Sequence, residues 1–282
     1  MKSSYYKYFA ALLLFGSNGI VASNINLPSY EIVLLRLLLG SLFLITVFTV
    51  SRQRFTFYRN KHTCLYLFIS ASAMGASWML LYEAYQQVGI SIASLAYYCG
   101  PVIVMILSPF LFRETLTWPK IAGFLTVLAG MCLVNLQALD EGKTIWGLFC
   151  GLMSAFMYAL MVTANKKAKP ESGLENSLLQ LVIGSFIVVA FVSMQKNFVL
   201  SLTTIDWIPV LLLGLLNTGI GCYLYFSSIT DLPVQTVAIC GYLEPLSAVV
   251  FSVLFLHEVL LPLQMLGAVL ILGGALFGEC FN

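Results

Sequence analysis

Apolar runs of about 20 residues, the length a helix needs to cross roughly 30 Å of hydrocarbon, follow one another along this whole chain. Only short polar connections separate them. A water-soluble chain carries about 25% charged residues; here 9% of 282 are charged and 60% are hydrophobic. Strands of a membrane barrel would be about half as long and would alternate apolar with polar. The reading is an all-α membrane protein. Ten runs fall at 5–23, 30–51, 63–88, 90–112, 118–137, 145–166, 174–195, 207–228, 233–256 and 262–280. The first of them resembles a cleaved leader. It is interrupted by Gly16-Ser17-Asn18-Gly19 and has a counterpart later in the chain, so it is expected to stay as the first span.

Loop charge sets the orientation. With the N-terminus in the cytoplasm, Lys2, Lys7, Arg52, Arg54, Arg59, Lys61, Arg113, Lys120, Lys166, Lys167 and Lys169 lie inside, and only Lys143 and Lys196 lie outside. The remaining cation, Arg36, sits within a run, away from both loops. This predicts N-in and C-in, in the plasma membrane. Trp118, Trp146 and Trp207 stand at span starts, where interfacial aromatics belong; Trp78 is mid-span. A net charge of +2 without a basic cluster gives no reason to expect nucleic acid. The seven cysteines are scattered without a CxxC pair and read as small buried hydrophobes. No metal, cofactor or disulfide is expected. Lipid and a small-molecule substrate are the expected partners, with protons as a coupling ion, and the chain is expected to be monomeric.

The sequence repeats at a spacing of 144. Tyr98 falls on Tyr242, Pro101 on Pro245, Glu114 on Glu258, Gly75 on Gly219, Gly123 on Gly267 and Gly130 on Gly274. A spacing of 143 places Phe15-Gly16 on Tyr158-Ala159. The halves are 1–138 and 143–282, with five spans each. Five is odd, so the halves enter the membrane in opposite directions. Inverted repeats of this kind build secondary transporters, whose substrate site lies near the midplane between halves.

Glu244 is the most conspicuous polar residue. It stands about 17 Å into its span, at about 1.5 Å per residue, directly before Pro245. An acid at that depth costs roughly 2.5–3.5 kcal/mol, and the proline removes a backbone donor at the same level. Its repeat counterpart is Gly100, so the acid is not required by the shared architecture. It reads as a substrate counter-ion or proton carrier, or else as a structural acid bonded across the bundle. Tyr98 and Tyr242 stand three residues before each proline. Trp78, Tyr82 and Tyr85 share one helical face, and Tyr158 is near mid-span. These rings read as an aromatic-lined cavity or as core. Asn18 and Asn217, both mid-span, bind substrate or join helices. Arg36 and Glu83 lie at matching depths, which suits a pair, as a gate or a fixed ion pair; the alternative is Arg36 snorkelling to the surface. Glu114 and Glu258 are expected to fix helix ends, and His62 and His257 to be solvated.

The motifs Phe15-Gly16-Ser17-Asn18, Arg36, Pro101 with Phe112-Arg113-Glu114, and Leu243-Glu244-Pro245 with His257-Glu258, each Glu followed by glycines seven apart, carry a resemblance. The whole chain resembles the drug/metabolite transporter superfamily, EamA-type branch. It departs at Phe15, where that family often has Trp, and at His257, where it has Gly. The resemblance implies transport of amino acids, metabolites, drugs or cations, with no cofactor. The expected function is alternating-access export of an amino acid or related metabolite, with proton coupling through Glu244. The alternatives are an organic-cation carrier with an aromatic-plus-carboxylate site, and a channel or scaffold. No GxxxxGK[ST], HExxH or GxSxG occurs, so neither ATP-driven transport nor an enzyme is expected.

Overall fold

The structure, a computed structural model, describes residues 2–135, 145–194, 207–256 and 262–280. The elements are α1 (Lys2–Gly16), α2 (Asn18–Ser23), α3 (Ser29–Val50), a 3-10 turn at Phe57–Arg59, α4 (Lys61–Tyr97), α5 (Cys99–Phe112), α6 (Trp118–Asn135) and α7 (Ile145–Ala168). There follow α8 (Gly173–Met194), α9 (Trp207–Leu211), a π-helical stretch at Leu212–Ile220, α10 (Gly221–Ser228), α11 (Val234–Gly241), α12 (Leu243–Leu256) and α13 (Pro262–Cys280). Among the described residues, six stretches are long and apolar enough to cross a membrane, and further apolar helices are shorter. Lys143, Lys196, His257 and Glu258, on which part of the sequence reading rests, lie outside the described residues.

The bundle is polar where a soluble protein is apolar. Phe110, Phe186 and Met194 face outward, while Asn165, Asn176, Gln180 and Gln235 are fully buried. The nitrogens of those amides find partners across helices, as the absence of water demands, while Gln180 Oε1 and Gln235 Oε1 take none among the described residues. Asn165 donates to Asn176 Oδ1 at 2.9 Å, Asn176 donates to the Phe226 carbonyl at 3.0 Å, and Gln180 donates to Ser70 Oγ at 2.9 Å.

Helices pair by small residues. Along α4 and α7, Ser77 and Ser154 each donate to the other's carbonyl, at 2.9 and 2.7 Å. Along α6 and α13, a Cβ on Gly123 would stand 2.5 Å from the Gly274 carbonyl, and one on Gly130 would stand 2.6 Å from that of Gly267. Only glycine permits backbones this close. The contact is reciprocal: each glycine meets the residue 144 beyond the other. Ser41 and Ser185, also 144 apart, share a hydrogen bond of 3.0 Å.

Two boundaries differ from the sequence reading. Spans ending at 88 and starting at 90 are joined with no loop, because helical bonding runs unbroken through α4. The helix is nevertheless folded back. Ala84 Cβ and the Ala93 carbonyl both lie within 4 Å of one point, the Cβ position of Gly151. In a straight helix those residues would be about 13 Å apart, so α4 bends sharply between them. The run at 207–228 holds the π stretch, which the sequence reading lacks.

One end of the bundle gathers the basic loops, where acids clamp backbone. Glu175 accepts from both Phe57 N at 3.0 Å and Thr56 Oγ1 at 2.6 Å, and from Thr56 N. Glu114 accepts from the amides of Val234 and Gln235 at 2.8 and 3.1 Å, capping α11. Ser4 donates to Asp231 at 2.8 Å, and Lys166 Nζ donates to the carbonyls of Thr230 and Leu232.

Candidate functional site

Four helix interruptions are brought together in the middle of the bundle. α4 gives way to α5 at Tyr98, and α11 to α12 at Tyr242. Pro101 and Pro245 follow three residues later, and each lacks the N–H that would bond four residues back. The break between α1 and α2 falls at Ser17, whose hydroxyl turns back to the Leu14 carbonyl at 2.7 Å. The fourth interruption is the π stretch, a feature frequent at functional sites.

Side chains tie these breaks to one another. Asn217, in the π stretch, sets its amide nitrogen 2.9 Å from the Leu14 carbonyl, Ser17 Oγ and Asn18 Oδ1. Tyr242 donates to the Tyr98 carbonyl at 2.7 Å. Gly16 lies against the start of α12, where a Cβ would stand 1.9 Å from Ser247 Oγ and 2.9 Å from the Glu244 carbonyl. Asn217 is buried and Tyr242 fully so. Both therefore hold the broken turns together. Asn18 is half-buried and acts as acceptor for Asn217.

Arg36 enters this group from α3. It is 7% exposed. Its Nε donates to Thr218 Oγ1 at 3.0 Å, and its guanidinium carbon lies 4.3 Å from the Trp78 ring centre. Thr218 is itself anchored, donating to the Leu213 carbonyl at 2.8 Å. Among the described residues neither terminal nitrogen of Arg36 takes a partner. A pair with Glu83, one of the sequence alternatives, is not formed in this structure. Glu83 accepts from Gln87 at 3.2 Å and from the Trp146 indole at 3.3 Å. Depth along the helix matched, but Glu83 is about 140° around α4 from Trp78, and Trp78 is where Arg36 lies.

Glu244, half-buried in the first turn of α12, is within electrostatic reach of Arg36 and of Tyr97, Tyr98 and Tyr158. Its carboxylate takes no hydrogen bond among the described residues. Tyr158 shares a hydrogen bond of 3.3 Å with Tyr225 and packs its ring 5.5 Å from that of Tyr97. Its ring also occupies the space beside Gly100, where a Cβ would stand 2.7 Å from Tyr158 Cδ1. That packing explains why the repeat counterpart of Glu244 is bare.

Tyr8, Tyr97, Tyr225 and Thr218 belong to this group and are absent from the sequence reading. Thr218 and Tyr97 had a signal, their places beside Asn217 and Tyr98. Tyr82 lies apart from it. It packs on Tyr85 at 5.3 Å and lines a cavity of about 20 Å³ with Tyr30 and Glu83, room for one water. A larger cavity of about 350 Å³ opens at the basic end between Thr56–Thr63 and Lys167–Glu175. It shares no residue with the central group. His62 lines it, exposed, with its ring 4.4 Å from that of Tyr66.

The pattern of the EamA-like transporter family matches this chain twice, over residues 3–136 and 145–277. The chain belongs to the EamA-like transporter family. It is 27% identical to the uncharacterized transporter YxxF of Bacillus subtilis, over 95% of this chain and 86% of that protein. It is 28% identical to the threonine/homoserine exporter RhtA of Escherichia coli K12, over 82% of this chain and 75% of that one. A solved crystal structure of another protein matches with a TM-score of 0.82 at 18% identity, over 99% of this chain and 98% of that chain; this likeness concerns the fold alone. As an EamA-family protein the chain is a membrane-embedded transporter, and its relatives are named transporters rather than enzymes.

Proposed function

We propose that this transporter is a ten-span carrier of two inverted five-helix repeats, 1–138 and 143–282, that exports an amino acid or related small metabolite by alternating access. The observation that carries the reading is the meeting of four helix interruptions around Arg36 and Glu244. Discontinuous helices at mid-membrane supply free backbone groups to a bound solute and hinges to the moving halves. The reciprocal glycine contact of α6 with α13 and the twofold match to the family pattern support the repeat. The gathering of basic residues at one end supports a plasma-membrane orientation with both termini cytoplasmic. The name of RhtA supports the substrate class. Glu244 also serves as the coupling proton carrier in this reading.

A quaternary amine fits less well, since Arg36 covers a face of Trp78 and brings positive charge to the site. The test is entrance counterflow in proteoliposomes preloaded with single amino acids. A carrier accumulates labelled solute transiently against its gradient, whereas a channel gives no overshoot. Glu244→Gln is expected to abolish uptake driven by a pH gradient; undiminished driven uptake would remove the proton role.

A further inference from the structure

Arg36 and Glu244 are an unusual pair of charges for the middle of a membrane bundle. Each is expensive there unless something answers it. Arg36 is 7% exposed, and its Nε and one ring face are occupied by Thr218 and Trp78. Those contacts fix the guanidinium plane and leave its two terminal nitrogens without a partner among the described residues. A planar fork held in this way is the natural receptor for a carboxylate, through two parallel hydrogen bonds. Glu244 is the converse, a carboxylate with no hydrogen bond among the described residues. The two stand on different helices, α3 and α12. They are linked through Thr218, Asn217, Ser17 and Gly16, consecutive members of the knot that joins the breaks.

We propose that Arg36 and Glu244 divide a zwitterionic substrate between them, the guanidinium taking the carboxylate of a free α-amino acid and Glu244 taking its ammonium. This rests on the carrier reading above and adds which groups of the solute are read. A solute with one charge leaves the other protein charge unanswered; a zwitterion answers both and adds no net charge to the membrane interior. Trp78 orients Arg36 from behind and is a positioning residue. Tyr97, Tyr98 and Tyr158, within electrostatic reach of Glu244, are the rings assigned to bound the space for the substrate side chain.

The test is equilibrium binding to the purified full-length protein in nanodiscs. A panel of free amino acids comes first, then the methyl ester and N-acetyl derivative of whichever binds, with L-threonine as the starting probe. Wild type is expected to bind the free amino acid at least about ten-fold more tightly than either derivative, the scale of one charged hydrogen-bond pair. Arg36→Gln is expected to lose the preference over the methyl ester, with ester affinity within about two-fold of wild type, the retained ester binding showing that the site is folded. Glu244→Gln is expected to lose the preference over the N-acetyl derivative in the same way. If Arg36→Gln does not fold, Arg36→Lys keeps the charge without the fork, and a preference over the ester falling short of wild type supports the assignment. Wild type binding the ester as tightly as the free acid, or a folded Arg36 variant keeping the full preference, overturns the division and leaves the amino-acid carrier standing. Failure of wild type to bind any amino acid in the panel overturns the carrier reading and this assignment together.

Discussion

The charges at the basic end of the bundle and those at its centre are treated in opposite ways. At the end, Glu175, Glu114 and Asp231 each accept hydrogen bonds from backbone amides or hydroxyls and staple loops to helix starts. At the centre, the Arg36 terminal nitrogens and the Glu244 carboxylate face no partner among the described residues. A charge that is answered within the fold contributes to stability. One that is left open in a membrane interior is destabilising until a ligand answers it. In the proposed reading, the difference separates the part of this molecule that is scaffold from the part that binds the solute.

Substitutions at the two places should therefore break different properties. Glu175→Ala removes an acceptor of three hydrogen bonds and should lower stability by about 3 kcal/mol, read by thermal unfolding in nanodiscs. Amino-acid affinity per folded molecule should stay unchanged. Arg36→Gln should do the reverse, lowering free amino-acid affinity about ten- to a hundred-fold, or roughly 1.4–2.8 kcal/mol, with the melting temperature held or raised. Tyr242→Phe removes the bond that joins two helix breaks and should cost about 1 kcal/mol of stability. Trp78→Phe keeps a ring beneath Arg36 and should weaken binding only by about 0.5–1 kcal/mol, read as a two- to five-fold rise in the dissociation constant. If the Glu175 variant lost affinity as severely as the Arg36 variant, the distinction between end and centre would fail.

Much of this arrangement is legible in the sequence. Run length and the scarcity of charge give an all-helical membrane protein. Pro101 and Pro245 mark where α4–α5 and α11–α12 break, each lacking the N–H that would bond back into the preceding helix. Glycines seven apart mark the α6–α13 contact. What sequence does not carry is direction around a helix axis once partners are unknown. Arg36 and Glu83 match in depth, yet Arg36 lies on Trp78, which points elsewhere on α4. The π stretch at Leu212–Ile220 carries no proline to announce it. The sharp bend in α4 falls within an unbroken helix and has no proline to announce it. Tyr8, Tyr97 and Tyr225 are three among fourteen tyrosines, and only packing shows which rings meet. The contrast of Gly100 with Glu244 is visible in sequence, but its cause, the Tyr158 ring beside Gly100, is not.

The most direct test is an experimental structure of the transporter with a bound amino acid. The account predicts ligand density among the four breaks, its carboxylate on the Arg36 terminal nitrogens at about 2.7–2.9 Å, the usual length for such charged bonds, and its ammonium on Glu244. A ligand lodged instead in the cavity at the basic end, with Arg36 and Glu244 bonded to each other, would contradict it.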